Sequence, residues 1–223
     1  MNKMNKHLSF SIRIFVVSAL FGIGFLSSKS FAAFGLLETA EIIPQGVYRV
    51  GFAPELYMGN GGGIDTSAFL DLYTGPSLNS RFEIGSGVTD FWAAASAKWV
   101  PYPDYGNQPA IGLRGKFIYL READINFYNT QIAPIFSKRY TTDRGVFIPY
   151  AGLPMTFIYE KSSNNFTISK LCFGTEWESS RAFQAGAELA IDLYNGSSAY
   201  AYTASTISVF FNFQFDEKIG FKK

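Results

Sequence analysis

From residue 46 to residue 215, apolar side chains return at every second position in one short run after another. The run 183–193 is the clearest: Phe183, Ala185, Ala187, Leu189, Ile191 and Leu193 share one side, while Gln184, Gly186, Glu188, Ala190 and Asp192 share the other. A helix would scatter these residues around its circumference, whereas a strand sorts them onto two faces. The same alternation predicts strands over 46–57, 67–74, 81–88, 91–99, 111–119, 128–136, 146–159, 170–177, 183–193 and 207–215. Pro149 and Pro154 interrupt the seventh, and because proline cannot donate to a ladder a bulge or break is expected there. Turn chemistry separates the runs at Leu78-Asn79-Ser80, Pro103–Asn107, Thr142–Gly145, Glu178–Ser180 and Asn195–Ser197. The predicted fold is all-β: a closed antiparallel up-and-down barrel of about ten strands.

The chain opens differently. Lys3, Lys6 and Arg13 flank an apolar run from Ile14 to Leu26, and Ser30-Phe31-Ala32 supplies small residues at the cleavage spacing. That run is ~13 residues against the ~20 of a spanning helix, so residues 1–32 are read as a signal peptide cut after Ala32. Residues 33–223 then form a single domain. Four of the 19 basic residues leave with the signal, so 15 bases face 18 acids and no basic stripe suits a nucleic acid. The lone cysteine, Cys172, allows no internal disulfide, so stability has to come from burial and sheet closure.

Which face meets which solvent decides the class. The polar face carries Arg49, Arg81, Lys98, Arg114, Lys116 and Lys170, balanced by Glu55, Asp71, Glu83, Glu176, Glu188 and Asp192. Gly51, Gly85, Gly87, Gly112, Gly174 and Gly186 space these charges. In a narrow bore, glycines would leave room for long charged side chains, and the balanced signs would let them pair, as buried charges must. Arg114 and Lys116 are expected to pair with acids such as Glu83. The apolar face, ending in Trp99, Tyr119, Tyr159 and Trp177 near the turns, then fits lipid with its aromatic girdles. The reverse arrangement would give a soluble secreted barrel or sandwich binding an apolar ligand.

Residues 33–223 as a whole resemble the small outer-membrane β-barrel proteins of Gram-negative bacteria, on the leader, the dyad strands and the aromatic last strand (Val209, Phe211, Phe213, Phe215). The resemblance implies residence in outer-membrane lipid and handling by the barrel-assembly machinery. In that family the last strand usually closes the chain on an aromatic residue; here Asp216–Lys223 follows, so an insertion signal would end internally at Phe213 or Phe215.

The residues for catalysis are sparse. His7, the one histidine, lies in the signal, which removes serine–histidine and thiol–histidine mechanisms, and neither a zinc cluster nor any other metal or cofactor site is expected. Gly59–Gly63 lacks the lysine and hydroxyl of a phosphate loop. Glu188 and Asp192 are read as structural ion-pair members. Two functions remain: a structural or interacting membrane component with a filled interior, or a narrow channel for small solutes. The segment 35–45 is expected at the periplasmic mouth, helical or extended.

Overall fold

The computed structural model describes residues 34–58, 63–87, 91–122, 125–160, 165–180, 182–193 and 204–216. Among these, twelve strands form one antiparallel sheet: β1 Tyr48–Met58, β2 Ile64–Gly75, β3 Leu78–Ser86, β4 Phe91–Tyr102, β5 Ala110–Glu122, β6 Ile125–Ser137, β7 Tyr140–Thr142, β8 Gly145–Gly152, β9 Met155–Glu160, β10 Phe166–Glu178, β11 Phe183–Asp192 and β12 Ser205–Phe215. β1 pairs with β12, Phe52 opposite Phe211, so the sheet closes on itself.

The wall has ten staves because β8 and β9 are two halves of one. Both lie between β6 and β10, as the pairs Ile135–Gly152, Ile132–Met155, Cys172–Gly152 and Ser169–Met155 show. The break falls at Leu153-Pro154, where the ladder hands over to Leu153 N donating to the Pro134 carbonyl and Lys170 N donating to the Pro154 carbonyl. This is the interruption the prolines predict. β7 pairs only with β8, in a hairpin that turns at Asp143-Arg144 with Gly145 at φ 118°. One turn differs from expectation: Leu78, Asn79 and Ser80 begin β3, and the reversal is made by Pro76-Ser77. Proline's fixed φ suits the turn itself, which frees the following residues for the ladder.

Side-chain direction is inverted relative to a soluble protein. Leu189 and Ile191 are 37% and 38% exposed, whereas Arg114 is 0% and Glu188 2%. Tyr48, Phe82, Ile84, Leu113, Phe117, Phe136, Phe173, Ile207 and Phe213 also point outward. Trp99, Tyr102 and Trp177 stand outside at the rim where β1 starts and β12 ends (the near rim); Tyr128 and Tyr159 stand outside at the far rim. Two aromatic belts thus bracket an apolar band, as lipid requires. Among the described residues no helix is long and apolar enough to cross a membrane; the crossing is made by strands. Gly59–Gly62, Asn195–Ser197, the leader and most far-rim loops lie outside the described residues. Asn165-Phe166-Thr167 leads directly into β10.

The glycines do a different job from the one expected of them. A Cβ on Gly51, Gly85, Gly174 or Gly186 would sit within 2.1–2.3 Å of the ring of Phe69, Trp92, Tyr150 or Phe210 respectively. The notches seat aromatic rings, and two of those rings in turn receive cations. The Arg81 guanidinium lies 4.1 Å from the Phe69 ring centre and the Lys116 ammonium 5.5 Å from that of Trp92. A flat ring over a bare backbone fills bore volume without a clash, which flexible charged chains do less completely. Gly186→Val is expected to destabilise the barrel by about 1–3 kcal/mol through overpacking. Phe210→Ala in the same chain should recover part of that loss, read as the temperature of the heat-induced gel shift.

Candidate functional site: a bore filled by the N-terminal segment

Residues 34–43 run inside the barrel, and Pro44, Gln45 and Gly46 turn in the open before β1 begins. Phe34, Leu36, Leu37, Glu38, Thr39, Ala40 and Ile43 are all buried. The segment has no helix and no strand, so its backbone groups must find partners in the wall. They do. Leu36 N and Leu37 N donate to the two oxygens of Glu188, each at 2.8 Å. Leu37 adopts φ 51°, unusual for a non-glycine residue, next to these adjacent N–H groups that meet one carboxylate. That conformation costs roughly 1–2 kcal/mol, and two charge-assisted bonds offset it. Tyr150 Oη donates to Glu188 as well, at 2.8 Å, fixing the carboxylate from the far side.

The carbonyls are met by the wall's cations. Arg114 donates to Gly35 O and Leu36 O, both at 2.9 Å, to Gln131 at 2.5 Å and to Glu38 at 3.0 Å. Lys98 Nζ reaches Thr39 O at 2.6 Å and Glu38 at 2.9 Å. Arg81 donates to Leu37 O at 3.2 Å, Gln131 to Phe34 O at 3.3 Å, and Ala40 N donates to Ser137 Oγ at 3.1 Å. Apolar contacts complete the fit: Leu36, Leu37 and Ala40 pack with Phe69, Ile135, Tyr150, Cys172 and Phe210. Phe34 packs in a second cluster with Tyr57, Trp92, Ile118, Leu120, Phe127, Ile158 and Ile168.

The remaining charges pair within the wall. Arg49 bonds Asp71 at 2.6 Å and Glu176 at 3.3 Å; Arg81 bonds the other oxygen of Asp71 at 2.5 Å; Lys116 bonds Glu83 at 2.5 Å. Lys170 donates to Ala204 O at 2.6 Å and stands across the ladder from Asp192, which is only half-buried at the far end of β11. Glu55 is buried without an ion pair to any described residue. Both Arg114 and Lys116 pair with acids: Lys116 takes Glu83 of the wall, and Arg114 takes Glu38, which comes from the internal segment. Glu188 binds backbone N–H groups where an ion pair was expected. Residues 35–40 lie in the bore rather than at its mouth, because Arg114, Lys98 and Glu188 offer them buried partners, while Glu41 to Gln45 reach the near rim, where Pro44 and Gln45 are exposed.

At the near rim Arg139 clasps the base of this segment, donating to Glu41 at 2.6 Å and to Glu178 of β10. The neighbouring loop is closed by Lys138, which donates to Asp104 and to Gly106 O and Gln108 O. Slight burial raises the Asp104 carboxyl, but the hydrogen bonds from Lys138 and Arg139 N outweigh it and hold the group below its ordinary value. A depressed carboxylate keeps its favourable contribution above its unfolded pKa and loses it as pH falls through the folded value, so this loop stays closed in mild acid. A cavity of about 250 Å³ remains between the segment's base and the wall, lined by Glu41, Ile43, Arg49, Arg139, Glu176 and Gln184.

No protein-family model matches the sequence, and no curated protein does. Solved structures of similar shape include the N-terminal β-barrel domain of Pseudomonas aeruginosa OprF (10% identity, 77% of this chain and 98% of that one, TM-score 0.38). The COG4313 outer-membrane channel from Pseudomonas putida F1 aligns at 10% identity over 79% of this chain and 98% of its own, TM-score 0.48. The translocator domain of the autotransporter NalP from Neisseria meningitidis aligns at 12% identity over 79% and 90%, TM-score 0.38. The weight therefore rests on the chain's own geometry: a closed ten-stave sheet, apolar rows outside, charges and a chain segment within. The chain is a closed antiparallel β-barrel with the face distribution of a barrel that sits in lipid.

Proposed function

We propose that this protein is a non-catalytic outer-membrane barrel whose bore is sealed by residues 34–43, acting as a structural or interacting component of that membrane. One observation carries the reading: three fully buried charges of the wall, Arg114, Lys98 and Glu188, spend their bonds on the segment's backbone and on Glu38. A catalytic or solute-conducting bore would keep such groups available to substrate or ion. Cys172, buried among Leu36 and Tyr150, packs as a small side chain. Outer-membrane lipids meet the outward rows, and the barrel-assembly machinery is the partner at insertion, with β12 ending on Phe215 as the strand to be read.

The same arrangement supports a second reading, a channel opened when the segment leaves, because only non-covalent bonds hold it. Planar-bilayer recording separates the two. The full-length protein is expected to be silent, and a chain lacking residues 35–43 is expected to conduct in steps. Conductance from the full-length protein at rest would contradict the sealed barrel. Silence that gives way to openings under a modest voltage would select the gated channel.

A further inference from the structure

One buried carboxylate oxygen at the near-rim end of the bore has no donor. Glu176 faces inward from β10, is 1% exposed and lines the near-rim cavity, and its Oε2 makes no hydrogen bond. Its neighbours across the ladder explain why. Gly186 on β11 has no side chain, its notch being taken by the Phe210 ring, and Ile148 on β8 has no polar side-chain atom. The Arg49 guanidinium meets the other oxygen, Oε1, at 3.3 Å, while its Nε serves Asp71 and its Nη1 also serves Gln184. A buried charged acceptor left unmet is costly, so the donor has to come from the cavity side.

We propose that this cavity binds a small aliphatic amine, whose ammonium donates to Glu176 Oε2. Glu41, Ile42 and Ile43 of the internal segment form one wall of the site, and Glu176, Gln184 and Gln214 form the other. Its volume of about 250 Å³ suits one molecule of a few carbons, at the lower end for small-molecule sites. Entry is from the rim, where Pro44 and Ser180 are exposed. Charge selects an ammonium over a hydroxyl. Among the described lining residues three carboxylates, Glu41, Glu176 and Glu178, meet two guanidiniums. Both guanidiniums are already engaged: Arg139 holds Glu41 and Glu178, and Arg49 is shared with Asp71. Glu178 stands two positions beyond Glu176 at the end of β10, ~7 Å along the strand, so a second ammonium four carbons from the first can reach it. The site rests on the segment lying in the bore, and not on whether the bore conducts.

Full-length protein, extracted in detergent and shown to be heat-shiftable, is titrated by calorimetry at neutral pH with putrescine, the four-carbon diamine. The butanediol of the same length, which has donors but no charge, is the reference. The expected result is one putrescine bound per barrel and no saturable heat from the diol. Glu176→Gln, which still accepts from Arg49, should weaken putrescine binding at least about tenfold, the loss of a hydrogen bond to a charged group. Ser180→Trp obstructs the cavity mouth from an exposed position and disturbs no buried pair. It should weaken binding as well, and it decides the matter if the glutamine variant does not fold. No saturable putrescine binding to the wild-type barrel, equal binding of the diol, or binding unchanged in either folded variant would each overturn the proposal. Failed binding in a barrel that stays silent in bilayers leaves the sealed bore standing, and conductance at rest with binding intact does the reverse.

Discussion

Replacing Arg114 with methionine will lower the stability of the folded barrel by about 3–5 kcal/mol, the loss typical when one member of a buried ion pair is removed. Methionine fills much of the same volume, so the loss is electrostatic in origin. Glu38 keeps Lys98 but loses its second cation, and the carbonyls of Gly35 and Leu36 lose donors that no water replaces easily. The temperature at which boiled and unboiled protein cease to differ in gel mobility should fall markedly. Lys116→Met, which removes the ion pair to Glu83 within the wall, should destabilise the wall with less effect on the seal than Arg114→Met, which also strips the segment's carbonyls of donors. Arg114→Met should therefore also give flickering openings in bilayers. A silent and fully stable Arg114→Met barrel would mean the segment is not anchored there.

Phe82→Arg will be nearly as damaging, and for the opposite reason. Phe82 lies in the middle of β3, 54% exposed, on the outer wall. In a soluble protein an arginine at so exposed a site would be tolerated or would help solubility. On a lipid-facing strand near the bilayer midplane it costs ~2–4 kcal/mol. Refolding into vesicles of phosphatidylcholine, followed by the fraction folded across a urea series, measures it directly. Tyr48→Arg, at the near-rim end of β1, should cost far less because the charge can reach the interface. Equal tolerance at both positions would remove the lipid from the outer face.

Much of this architecture was legible in the sequence because a strand writes its two environments into alternate residues. Leu189 and Glu188 are neighbours in sequence, and one faces lipid while the other faces the bore. The break at Leu153-Pro154 was legible for an equally local reason, the missing donor of proline. The filling of the bore was not. Phe34–Val47 has no period, so nothing in it announces a strand or a helix, and its bonds to Glu188 and Arg114 span more than 75 residues of sequence. One signal was available. Glu38 is an acid set between Leu36-Leu37 and Ala40, outside every predicted strand, beside a wall whose twelve charges already balanced. Ten strands also enclose more space than the eight that side chains fill unaided, which calls for additional filling. The role of the glycines was misread because alternation reports only which face a residue occupies. It does not report that Phe69, Trp92, Tyr150 and Phe210 lie on the neighbouring strands opposite Gly51, Gly85, Gly174 and Gly186.

The placement of residues 34–43 inside the barrel is best tested by a covalent bridge between the segment and the wall. A Cβ on Gly112 would lie 3.4 Å from that of Ala40, close to the separation a disulfide spans. In a Cys172→Ser background, Ala40→Cys with Gly112→Cys should oxidise within the folded, heat-shiftable barrel to give a faster-migrating band after denaturation without reductant. Two free thiols in that same folded barrel, open to a maleimide too large to enter the bore, would contradict the account.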